Sequence, residues 1–189
     1  EQKAKMDEAI NQANSYETSG YDTHLIWGGD NIKEDAGSIS NSQQLIDDFT
    51  SYIENNVNGS VSVHYLLGNH EYANASSWGV DWSYSGFGFG STSDTYYVAF
   101  DHHHAKGIIL NTGYDETDTL RSGVPTGQLD WLESELNNTD KPVIIWTHTG
   151  IPQGKPDLYD DIGPRARQQY SNLLSKYDNV VCAFFGHSH

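Results

Sequence analysis

The sequence predicts an α/β fold with helices packed on the faces of a sheet. Two patterns carry that expectation. Amphipathic helical stretches alternate with short apolar strands through much of the chain. Four of the strands also run directly into polar termini, Gly28-Gly29-Asp30, Gly68-Asn69-His70-Glu71, Thr147-His148-Thr149 and Gly186-His187-Ser188-His189. Open α/β sheets place ligands at such strand ends.

Taken in order, Met6, Ala9, Ile10 and Ala13 fall at helical spacing, which predicts a helix over about the first fifteen residues, ending before Ser19-Gly20. The strand Thr23–Trp27 follows. Leu45, Ile46, Phe49 and Ile53 mark a second helix after the capping candidates Ser40 to Ser42, ending near Asn55-Asn56. Val61, Val63, Tyr65, Leu66 and Leu67 form a core strand that stops at Gly68, where the backbone can turn sharply or approach a ligand. Residues 72–94 carry Trp78, Trp82, Tyr84, Phe87 and Phe89 among Gly and Ser without a period, as a substrate wall or lid or as an ordered surface loop pinned by its own rings. Tyr96 to Phe100 and Gly107 to Leu110 read as a hairpin. Its tip carries His102, His103 and His104, whose side chains alternate faces in extended chain and are poorly placed to chelate one ion. Leu129, Leu132 and Leu136 mark a helix capped near Thr126, and Val143 to Trp146 a buried strand. Ala166, Tyr170, Leu173, Leu174 and Tyr177 mark a last helix started by Gly163-Pro164, and Val180 to Phe185 a final strand with Cys182 as core filler.

The 189 residues suit one domain with a real core. With 26 acidic against 10 basic residues, the formal charge of −16 argues against nucleic acid and against an anionic membrane face. Such acidity fits a salt-rich habitat and an ordinary solvated surface equally. A single cysteine excludes an internal disulfide and a thiolate metal site. No apolar run approaches the ~20 residues that span a bilayer, so a soluble chain is expected. Sequons at Asn58, Asn74 and Asn137 mark surface and permit secretion without requiring it. The chain opens at Glu1 inside a helical pattern and stops at His189 just after a strand, which suggests a fold truncated at both ends.

Asp30, Asn69 with His70, His148, and His187 with His189 therefore gather at one sheet edge. His187 and His189 are two apart, so in extended chain both face one way. A carboxylate, an amide oxygen and several imidazoles without thiolate suit Mn, Fe, Zn or a similar ion.

In this order the motifs Gly29-Asp30, Gly68-Asn69-His70-Glu71, His148 and Gly186-His187-Ser188-His189 resemble the calcineurin-like metallophosphoesterase superfamily. The similarity spans nearly the whole chain, with Asn111-Thr112 and Gln128-Leu129-Asp130-Trp131-Leu132 also fitting the pattern. The resemblance implies an αββα sandwich and two divalent or trivalent transition-metal ions about 3.5–4 Å apart. It implies that Asp30 bridges the two ions, that Asn69, His148 and His187 complete one, and that His189 serves the other. A hydroxide would attack the phosphorus of a small mono- or diester in line, with His70 assisting the leaving group. Glu71 is unassigned.

One motif departs from the family. Asp22-Thr23-His24 has the letters of its first motif, Asp-x-His, but precedes Asp30 on the same strand by roughly 20–26 Å at ~3.3 Å per residue. Ligands of one two-metal cluster lie far closer, so these residues read as an ordinary strand start. The chain is accordingly expected to be one incomplete phosphoesterase domain, its first motif just upstream of residue 1 and only one metal position nearly complete. Two rivals stand beside it: a non-catalytic interaction module on the same fold, and metal storage by His102 to His104 with His187 and His189.

Overall fold

The computed structural model describes residues 2–30, 39–68, 97–112, 127–149 and 164–186. Among the expectations above, those on Asn69, His70, Glu71, His187, Ser188, His189 and the loops 72–94 and 113–125 lie outside the described residues.

Helix α1 spans Gln2–Thr18 and leads to strand β1, His24–Trp27. Helix α2, Ile39–Asn56, crosses to β2, Ser62–Tyr65, which pairs parallel to β1 with Leu25 opposite Val63. A second sheet follows in the order β3, β4, β5, β6 (Val98–Asp101, Lys106–Leu110, Val143–Thr147 and Val180–Phe185). Strands β3 and β4 form the expected antiparallel hairpin, whereas β4, β5 and β6 run parallel. Parallel neighbours need crossovers, and α3 (Gln128–Asn137) and α4 (Pro164–Leu174) supply them.

Each sheet buries one face under its own pair of helices. Ile10, Ile46, Ile53, Tyr65 and Leu67 form the first core, with Trp27 and Phe49 packed against it. Ile108, Leu110, Leu132, Leu136, Val143, Ile145, Tyr170 and Leu173 form the second. Full burial stabilises such side chains by roughly 1.5–3 kcal/mol each. The burial of β5 alternates accordingly: Val143, Ile145 and Thr147 are buried beneath the helices, while Ile144 and Trp146 belong to the other face.

Aromatic rings fill the space between the sheets. Phe100 lies on the imidazoles of His64 and His24, with centroids 4.0 and 4.7 Å away, and continues through Trp146 to Phe184. The end of its ring occupies the place a β-carbon would take on Gly107, its cross-strand partner. The arrangement is thus helices, sheet, sheet, helices, as the αββα expectation required.

Three local expectations are corrected. Cys182, expected in the core, is exposed, as are Val181, Phe184 and Phe185. The reason is position: among the described residues β6 is the last strand of its sheet, and its packing is chiefly against β5. Leu45, counted on the apolar face of α2, is 38% exposed. The N-cap of α3 is Gly127, in the left-handed region at φ 85°, and no side chain caps it. No helix among the described residues is long and apolar enough to cross a membrane.

Candidate metal centre

The described ends of β1, β2, β5 and β6 converge at Asp30, Gly68, His148 and Gly186. After Trp27 the chain passes through Gly28 and Gly29, with Gly29 at φ 88°, to Asp30, whose φ of 51° is rare outside glycine. Pairing with β2 persists to Leu66, whose N–H donates to the Trp27 carbonyl at 2.8 Å, and this carries Gly68 onto Asp30. A β-carbon at Gly68 would meet Asp30 Oδ1 at 2.1 Å, and one at Gly29 would meet His148 Nδ1 at 2.3 Å. These glycines make room for the two candidate ligands.

His148 follows β5 directly, and its side chain is 2% exposed against 22% for Asp30. Nδ1 lies 2.7 Å from the Gly28 carbonyl, which can only accept, so Nδ1 carries the hydrogen. That assignment turns Nε2 toward Asp30, with Oδ2 at 3.1 Å. A neutral imidazole there opposes its lone pair to a carboxylate, and a cation between them removes the repulsion. Two ligands with bonds of about 2.0–2.2 Å to one ion lie about 2.9–3.4 Å apart, so the pair fits a shared ion. The hydrogen bond from Nδ1 to Gly28 is the outer support by which metal-bound histidines are oriented. On the other side, the Gly186 N–H donates to the His148 carbonyl at 3.0 Å, which brings the end of β6 to the same place.

Of the predicted site residues, Asp30 and His148 are thus together. Asn69 and His70 follow Gly68 in sequence, and His187 and His189 follow Gly186, but all four lie outside the described residues. Among the described residues no group of three or more His, Cys, Asp or Glu side chains could hold an ion.

Asp22 and His24 stand at the opposite end of β1. The His24 and His64 rings are 8° from coplanar with Nδ1 and Nε2 2.9 Å apart, so the two imidazoles meet edge to edge through one shared hydrogen. Burial holds the pKa of both below the usual histidine value, that of His64 at about 4. His103 and His104 are exposed at the hairpin tip as expected, whereas His102 turns inward and donates from Nε2 to the Asp22 carbonyl at 3.2 Å.

Residues 2–189 match the family model described as calcineurin-like phosphoesterase. The chain belongs to the calcineurin-like phosphoesterases. A crystal structure of a dimetal phosphatase from Danio rerio aligns with a TM-score of 0.68 at 17% identity, covering 96% of this phosphoesterase chain and 71% of that one. At that identity the likeness shows the fold. No curated protein matches the chain.

Asn111-Thr112, Gln128, Thr147 and Thr149 were visible in the sequence as polar residues, but their burial beside His148 was not. Asn111, Thr112, Gln128, Thr147 and Thr149 are all buried, and Gln128 bridges to Tyr170. Short polar residues at strand ends ordinarily signal solvent, and only the fold reveals that these are covered.

Proposed function

We propose that this phosphoesterase chain is one incomplete domain that hydrolyses a phosphate mono- or diester at a dinuclear metal centre. The observation that carries the reading is the buried His148 facing Asp30 at 3.1 Å, its tautomer fixed by Gly28, where four strand ends meet. Mn, Fe, Zn or similar ions, when bound, supply positive charge for the phosphate oxygens and lower the pKa of water.

The chain's residues take the remaining tasks. Asp30, Asn69, His148 and His187 would hold the first ion, through a carboxylate, a neutral oxygen and two imidazoles. His189 would serve a second ion, together with ligands beyond those named. His70 stays off the ions and holds a proton near the leaving oxygen, so that the alkoxide departs as an alcohol when hydroxide attacks phosphorus from the opposite side. Asp30 is held in a backbone conformation that costs of order 1–3 kcal/mol, a common feature of residues positioned for function.

Metal analysis of the full-length protein combined with phosphomonoesterase and phosphodiesterase assays tests this. Bound transition metal and hydrolysis, both lost in His148→Ala, are the expected results. A metal-free protein unaffected by His148→Ala would overturn the proposal and leave the interaction module.

A further inference from the structure

We infer that Thr112 is a positioning residue for His148, holding it through Thr149 in an arrangement anchored by Gln128. Its metal-affinity arm rests on the phosphoesterase reading; its exchange arm does not.

Strand pairing holds His148 on one side only. The Gly186 N–H donates to its carbonyl from the β6 side, but the β4–β5 register ends with Leu110 opposite Thr147, so toward β4 the chain at His148 and Thr149 has left the ladder. Side chains take over on that side. The Thr149 N–H donates to Thr112 Oγ1 at 3.1 Å, and Thr149 Oγ1 donates to the Thr112 carbonyl at 2.9 Å. The Thr149 carbonyl accepts from Thr147 Oγ1 at 2.9 Å and, more weakly, from Thr112 Oγ1 at 3.4 Å. The residues on either side of His148 are therefore tied to one carbonyl, and Thr112 fixes that carbonyl against the end of β4.

Thr112 is itself held in place. Gln128 clamps the preceding residue, accepting from the Asn111 N–H at 2.6 Å and donating to the Asn111 carbonyl at 2.8 Å. Its amide nitrogen also donates to the Tyr170 hydroxyl at 2.8 Å, joining α3 to α4 behind the site. Gln128, Thr112, Thr149 and Tyr170 are 0% exposed. Bonds made this deep are costly to leave unpaired, so the layer has one favoured arrangement. That arrangement sets the root of the His148 side chain, and Gly28 sets its ring.

Thr112→Val keeps the shape and deletes the hydroxyl, and Thr112→Ser restores it. The first measurement is the exchange rate of the His148 Nδ1–H by NMR in metal-free, full-length protein. Protection in wild type, loss in Thr112→Val and recovery in Thr112→Ser is the expected series. The second is Mn2+ affinity, expected to fall about 10- to 100-fold in Thr112→Val and to return in Thr112→Ser. A Thr112→Val protein that melts earlier but keeps both the protected Nδ1–H and wild-type Mn2+ affinity would reduce Thr112 to a stability role and overturn the inference. If Thr112→Val does not fold, Thr149→Val, which deletes only the bond to the Thr112 carbonyl, is read by the same two measurements. A wild type without metal or hydrolysis would defeat the phosphoesterase reading, while the exchange series would still decide the role of Thr112.

Discussion

A β-carbon on Gly68 would sit 2.1 Å from Oδ1 of Asp30 and 2.5 Å from its backbone nitrogen. The glycine that ends the β2 segment therefore gives space to a carboxylate from β1, not only freedom to its own turn. Gly68→Ala must push Asp30 from its place, since backbone cannot yield as a flexible side-chain end can. The expected result is about a 10- to 100-fold loss of metal affinity, with a stability cost of about 1–3 kcal/mol. Gly59→Ala, whose β-carbon meets nothing within 4 Å, is the control and should change neither. Metal titration and denaturant unfolding of both variants check this, and equal behaviour of the two would mean that Asp30 has room to spare.

The proposed role of His70 separates chemistry from metal binding. A group that protonates the leaving oxygen contributes about 10²–10⁴-fold where the departing alkoxide is basic. His70→Asn should lose about that factor in kcat on an alkyl phosphate and far less on 4-nitrophenyl phosphate, whose leaving group departs without a proton. Metal content should not change. An equal loss on both substrates, or loss of metal, would place His70 among the ligands.

Much of this was legible before any coordinates. Strand β2 and its glycine, the β3–β4 hairpin and the helical faces around Ile10, Ile53, Leu132 and Leu136 follow from period and burial, properties each segment carries locally. That Asp30 and His148 come together was legible for a related reason: each stands just past an apolar strand, and strands of one sheet bring their ends to one edge. Partnership was not legible. Nothing in Thr112 or Gln128 alone says that one supports Thr149 and the other clamps Asn111, because that depends on which strands become neighbours. Position in the sheet was hidden as well. The run around Cys182 is as apolar as that of β5, and only sheet order, among the described strands, puts one last and the other inside.

The α3 cap offers a test of backbone strain by itself. Gly127 has φ 85°, and a β-carbon there would meet nothing within 4 Å. Gly127→Ala should therefore cost only the left-handed backbone penalty of about 1–2 kcal/mol, with metal affinity unchanged. Thermal unfolding measures it; unaltered stability would show that the helix start rearranges to relieve φ.

The His24–His64 pair gives the fold a dependence on acid. Burial is the main cause that lowers both rings; for His24, His102 adds to the depression while Asp22 opposes it. Unfolded His64 takes up its proton near pH 6.5, whereas folded His64 resists until about 4. Between those values the unfolded chain binds more protons, so stability falls as pH drops from 6.5 toward 4 and this contribution levels off below. A full shift of that size corresponds to ~3 kcal/mol, and solvent screening of the partly exposed ring reduces it to about 1–2 kcal/mol. Carboxylates titrate in the same window, so the contribution is read as a difference. Urea unfolding at pH 7 and pH 4.5 should show wild type losing about 1–2 kcal/mol more than His64→Leu, which keeps an apolar contact for Phe100 and cannot take a proton. Equal losses would mean that the imidazole pair is protonated in the folded state without penalty, and that the shared hydrogen between the sheets is not what makes the fold acid-sensitive.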